Sequence, residues 1–139
     1  MKKMEKPLFK GVVLICDDNN MNLMLLSEHL RQVGLEVIIS LSGRDAVEKV
    51  QNRAQLPGGN KQFDLVLMDI HMPDMDGIEA AEKIHSIDNR IPIIAVTTDK
   101  RFSNPEKFRQ NGILDYLGKP FEPQQLWNCL GKYLVTQTS

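Results

Sequence analysis

The sequence predicts an α/β fold, an open and doubly wound five-stranded parallel sheet in (βα)5 order. Three observations predict it. Short apolar runs alternate with segments whose apolar residues recur at helical spacing. The first run is continuous rather than every-other-residue, as a strand covered on both faces is. The alternation is strict through all five rounds, which argues for parallel strands with helices on both faces.

"GVVLIC" (Gly11 to Cys16) is the first strand. "NLMLLSEHLRQVG" then sets Leu23, Leu26, Leu30 and Val33 on one helical face, and Gly34 suits its stop. "EVIIS" (Glu36 to Ser40) is the second strand. Ser42 followed by Asp45 reads as a helix start ahead of Ala46, Val47 and Val50. "QLPGGNKQ" (Gln55 to Gln62) is a loop. "FDLVLM" is the third strand, and "GIEAAEKIHS" a helix burying Ile78, Ala81 and Ile84. "IPIIAV" is the fourth strand. "SNPEKFRQNG" offers a Ser/Asn cap, Pro105 near the first helical position and Gly112 as a stop, so a short fourth helix is expected. "ILDYLG" is a mixed fifth strand, and "PQQLWNCLGKYL" closes with Leu126, Leu130, Tyr133 and Leu134 in helical register. The expected organisation is an N-terminal extension over 1–10, one domain over 11–135 and a tail over 136–139.

A chain of 139 residues, 42% hydrophobic, suits one domain with an ordinary core. Seventeen basic against eighteen acidic side chains give a net charge of -1, with no global bias toward nucleic acid or acidic membranes. Cys16 and Cys129 make neither a disulfide framework nor a zinc spacing, and read as reduced thiols packed like small hydrophobes. No stretch reaches the roughly 20 apolar residues that span a bilayer, so a cytoplasmic chain without membrane insertion is expected. No helix-turn-helix segment follows Val135, and direct nucleic-acid binding is not expected.

In an open parallel sheet, ligands bind beyond the carboxyl ends of the strands. Strand one runs into Asp17 and Asp18, strand three into Asp69, strand four into Thr97 and Thr98, and strand five into Lys119. Each alone has an ordinary reading: a helix cap, a turn residue, a β-branched strand residue, a solvated lysine. Their convergence on one rim is the signal. Two carboxylates about 4 Å apart repel by about 4 kcal/mol at an effective dielectric near 20. Three on one rim need a cation or must take up protons. A hard divalent ion with oxygen ligands fits, and Mg²⁺ is the expected one. The trio with its metal reads as a site for phosphoryl chemistry, with Asp69 as nucleophile and Thr97 and Lys119 holding the transferred oxygens.

"LICDDNNMN", "MDIHMPDMDG", "IIAVTT" and "DYLGKPF" together resemble the receiver domain of two-component response regulators, over about Gly11 to Leu134. "DDNxxN", with Asn19 and Asn22, and "MPxMDG", ending at Gly77, look most like receivers attached to hybrid sensor histidine kinases. The resemblance implies a flavodoxin-like sheet of strand order 2-1-3-4-5. It implies that Asp69 accepts a phosphoryl group from a phosphohistidine on a histidine kinase or histidine phosphotransfer domain. Asp18 and Asp69 would bind Mg²⁺ directly, Asp17 largely through water, and the backbone carbonyl of His71 would be a further ligand. Thr97 would meet the phosphoryl oxygen in the active state, and Lys119 would pair with it ahead of a cis Pro120. Tyr116 matches the aromatic that turns inward when the threonine moves. The face of the fourth helix, fifth strand and last helix, near Phe108, Tyr116 and Trp127, would then meet the next partner.

The chain departs from the family pattern at Thr98, where alanine is usual and leaves the phosphoryl site open. The positions that tune autodephosphorylation in the family are here His71 and Asp99, and a carboxylate at Asp99 can position water or pair with His71. A pseudo-receiver that binds partners without phosphorylation is one alternative; the acids, Thr97 and Lys119 speak against it. An aspartate-nucleophile phosphatase of the haloacid-dehalogenase type is another, but it would need a second aspartate where His71 stands. "DMDG" fails as a calcium loop, because its twelfth position is Lys83 rather than glutamate.

Overall fold

The computed structural model describes residues 6–57 and 62–136. Residues 1–5 of the expected extension, 58–61 of the expected loop and 137–139 of the expected tail lie outside the described residues. The strands are β1 (Val12–Cys16), β2 (Glu36–Ser40), β3 (Leu65–Asp69), β4 (Ile93–Thr97) and β5 (Ile113–Gly118). All pairings are parallel, and the order across the sheet is β2-β1-β3-β4-β5, as expected. The helices are α1 (Asn20–Arg31), α2 (Gly43–Ala54), α3 (Gly77–Ile87) and α4 (Pro123–Leu130).

Strand alternation divides the core into two layers. Val13, Ile15, Leu65, Leu67, Ile94 and Val96 pack with α1 and α4. Their neighbours Leu14, Cys16, Val66, Met68, Ile93 and Ala95 pack with α2 and α3. Every residue of β3 and β4 is buried, which explains why these strands carry almost no polar residue before their last position. The helix starts are set by side chains that accept the first free amides. Asn19 accepts from the Asn22 amide, Ser42 from Asp45 and Asp76 from Glu79. Beyond α4 the chain turns and is tied back to β5 by the Tyr133 hydroxyl, which donates to Asp115 at 2.9 Å.

The fourth crossover differs from expectation. In place of a short α-helix over "SNPEKFRQNG" there are two 3₁₀ stretches, Lys100–Ser103 and Pro105–Asn111. The segment has no apolar stripe of helical period to bury. Its packing rests on Phe102, fully buried and stacked on Phe108 with ring centroids 4.2 Å apart. Burying one such ring stabilises by roughly 2–3 kcal/mol. That contact leaves the backbone free to take the tighter winding. Gly112, at φ +89°, ends it.

An acidic pocket at the strand ends

The sheet's order of connection reverses between β1 and β3, which opens a crevice at their carboxyl ends. Asp17 and Asp18 follow β1 directly, and Asp69 is the last residue of β3. One carboxylate oxygen from each lies within 4.8 Å of the others. Asp17 and Asp69 are buried while Asp18 is exposed, so the pocket has a solvent side. Lys119 reaches in from the end of β5, with its ammonium 3.2 Å from Asp17 and 3.6 Å from Asp69. The peptide from Lys119 to Pro120 is cis.

Burial pushes the Asp69 carboxyl up to about 6, against the pull of Lys119 and with the help of Asp17 and Asp18. One ammonium therefore does not neutralise the pocket. Three carboxylates grouped this closely supply an all-oxygen donor set, which is what a hard divalent cation takes. The residues present fit Mg²⁺.

The neighbouring loops hold the acids in place. Asp17 accepts from the Asn19 amide at 2.9 Å and from the Asn22 side-chain amide at 3.2 Å. Sequence reasoning placed Asn22 in a motif without giving it this contact. Its spacing from Asp17, one turn into α1, is the signal that marks it. Gly77 opens α3 against the end of β3, and its amide donates to the Ile70 carbonyl at 2.8 Å. A Cβ on Gly77 would lie 2.3 Å from the Asp69 carbonyl oxygen, so only glycine lets α3 start this close to the acid. The Cys16 thiol donates to the Ser42 carbonyl, and burial, then Asp69 and Asp17, push it up to about 12. It stays a neutral thiol, and both cysteines are free and buried.

Thr97 belongs to the other strand parity. It is 1% exposed, and its hydroxyl accepts from the Asp99 amide at 3.1 Å. Asp99 in turn meets His71 Nε2 at 2.9 Å, so the loops after β4 and β3 are joined. Thr98 is exposed at the rim. Tyr116 is half-buried in the same layer as Phe102 and Phe108. Its hydroxyl fills the space that a side chain at position 118 would occupy, 2.5 Å from where a Cβ on Gly118 would stand. Trp127 packs in the opposite layer and donates its indole N–H to the His29 carbonyl. The three aromatics of the expected partner face are thus split between two layers. A cleft of about 250 Å³, walled by Leu25, Leu26, Val96 and Phe121, opens beside Asp69.

A sheet of order 2-1-3-4-5 with three grouped acids and a lysine at its carboxyl edge defines a class of phosphoryl-handling α/β domains. The chain belongs to the response regulator receiver domain family, which it matches over residues 13–130. It is 42% identical over 123 residues to the signal transduction histidine-protein kinase BarA of Escherichia coli, a match covering 87% of this chain and 12% of the kinase. It is 39% identical over 126 residues to the sensor protein GacS of Pseudomonas syringae, covering 87% of this chain and 13% of that protein. Among solved structures, it is similar to the receiver domain of an Arabidopsis thaliana histidine kinase complexed with Mg²⁺. There the identity is 30%, the TM-score 0.77, and the match covers 92% of this chain and 95% of that one. A Pseudomonas aeruginosa sensor kinase receiver, with a magnesium ion coordinated in its active site cleft, matches at 29% identity and TM-score 0.74, over 89% of this chain and 97% of that one. The chain spans about an eighth of the length of the curated relatives named here. Among the described residues, no helix is long and apolar enough to cross a membrane.

Proposed function

We propose that this chain is the phosphoacceptor receiver of a hybrid histidine kinase phosphorelay, with Asp69 as the residue phosphorylated. The observation that supports it is the position of Asp69. Its carboxylate is 11% exposed, lies within 4.8 Å of two further acids, and has an ammonium 3.6 Å away. The donor is a phosphohistidine on a kinase or histidine phosphotransfer domain. An oxygen of Asp69 attacks phosphorus, the P–N bond breaks, and the leaving imidazole takes up a proton. Asp18, Asp69 and the His71 carbonyl would hold Mg²⁺, with Asp17 largely through water, and the ion would offset charge on the transferred oxygens. Lys119 exchanges carboxylate partners for a phosphoryl oxygen.

The acyl phosphate carries about -2 where the carboxylate carried about -1. Thr97 leaves the Asp99 amide to meet it, and Tyr116, in the same layer, follows into the space released. The two 3₁₀ stretches bearing Phe102 and Phe108 carry that movement to the surface, so the readout face lies on the Tyr116 side of β5. The test is to incubate the protein with Mg²⁺ and a small acyl phosphate and weigh it. One phosphoryl group is expected on the parent, and none on Asp69→Asn or in chelator. No gain on the parent, or phosphorylation of a histidine, refutes the reading.

A further inference from the structure

The loop after β4 carries a contact network in which the phosphoacceptor reading gives Arg101 no role. Asp99 caps the first 3₁₀ stretch, and its Oδ1 accepts from the Arg101 amide and from Arg101 Nε, both at 3.0 Å. Its Oδ2 accepts from Arg101 Nη2 at 2.6 Å and meets His71 Nε2 at 2.9 Å. One carboxylate thus joins the loop after β4 to the loop after β3. The same residue's amide is the donor that holds the Thr97 hydroxyl. Anything that fixes Asp99 therefore fixes Thr97 where it is. The guanidinium fork suits this, because two parallel N–H donors set the orientation of a carboxylate as a point charge does not.

We propose that Arg101 is a positioning residue which, through Asp99 and His71, clasps the two loops and keeps the Thr97 hydroxyl on the Asp99 amide in the unphosphorylated state. This rests on the phosphoacceptor reading, since Thr97 must leave that amide to reach a phosphoryl group on Asp69. The clasp sets how readily it leaves. Arg101 is largely exposed, so its effect is a bias and not a lock. The chain supplies its own control. Arg90 holds Asp88 by the same bidentate pattern at the same spacing, away from the pocket.

The experiment compares the parent with Arg101→Ala, Arg101→Lys and Arg90→Ala in two measurements. The first is hydrogen exchange at the Asp99 amide, by NMR, in chelator and without donor. The second is the rate of mass gain from acetyl phosphate with Mg²⁺. Arg101→Ala is expected to speed Asp99 exchange two- to fivefold and phosphoryl uptake by a similar factor. Arg101→Lys, which keeps the charge and loses the fork, is expected to lie nearer alanine than the parent, and Arg90→Ala to match the parent in both. Unchanged exchange at Asp99 in Arg101→Ala overturns the clasp. So does slower uptake in alanine with lysine equal to the parent, because Arg101 would then be attracting the donor by charge. If the parent gains no mass, the phosphoacceptor reading fails, while the exchange measurement still reports on the clasp.

Discussion

Asp69 is held as an anion in a place that disfavours it, and replacing it with asparagine should therefore stabilise the metal-free protein. Its carboxyl is moved from an ordinary 3.8 to about 6, first by burial and then by Asp17 and Asp18, with Lys119 opposing. At about 1.4 kcal/mol per decade, that raises the cost of the ionised form at pH 7 by about 3 kcal/mol. Screening on the solvent side, where Asp18 is exposed, brings the expectation to about 1–2 kcal/mol. The folded state binds its proton more tightly than the unfolded chain. The penalty is full above pH 6 and disappears as pH falls through 6 toward 3.8, so the parent gains stability on mild acidification. Asp69→Asn removes the charge and the slope together. Thermal melts in chelator at pH 7 should show the variant about 4–8 °C above the parent, at roughly 4 °C per kcal/mol for a domain this size. At pH 5 the gap should narrow. A variant that melts at or below the parent at pH 7, or a gap that widens on acidification, refutes the reasoning.

Lys119→Met removes the cation that sits 3.2 Å from Asp17 and 3.6 Å from Asp69. The metal-free protein should lose about 1–3 kcal/mol, with Mg²⁺ restoring part of it, as read from melts with and without the ion. Gly77→Ala drives a methyl to 2.3 Å from the Asp69 carbonyl oxygen, so it should cost more than 2 kcal/mol in urea unfolding and slow phosphoryl uptake. A neutral result would mean that α3 can withdraw freely from the end of β3. Thr98→Ala trims an exposed side chain at the rim. It should change the phosphoryl lifetime by twofold or more in a decay measured after donor removal, and superimposable decays would remove Thr98 from the account.

The placement of the acids is legible in the sequence because three rules act on them together. Buried parallel strands are apolar until they end, their ends share one edge of the sheet, and a carboxylate at such an end has no apolar role. Asp17 and Asp69 satisfy all three and Lys119 the first two, and the structure brings them together. The same rules do not reveal what lies between the ends. Arg101 reads as a solvated cation on a polar stretch, and only the chain's turn at Asp99 sets its fork against that carboxylate. The fourth crossover fails for a related reason. Its cap, proline and glycine punctuate a helix correctly, yet nothing in "SNPEKFRQNG" repeats at helical spacing. The winding was left to one aromatic stack, Phe102 on Phe108, which no local pattern announces.

The 3₁₀ crossover and the buried acids fall on opposite sides of the sheet, and strand parity accounts for it. Asp17 and Asp69 continue the alternation of Ile15 and Leu67, which pack on α1 and α4. Thr97 continues that of Ile93 and Ala95, which pack on the layer holding Phe102, Phe108 and Tyr116. On the proposed mechanism, the residue that accepts phosphorus and the residue that moves thus sit one strand apart but face different packing partners. The Thr97 side chain faces a layer closed by a 3₁₀ segment and a half-buried tyrosine. β3 and β4 are both buried along their whole length, so the contrast lies in the layer each side chain faces and not in its strand. If the proposed switch operates, this separation by parity would let the pocket keep its charges in place while the layer beside Thr97 rearranges.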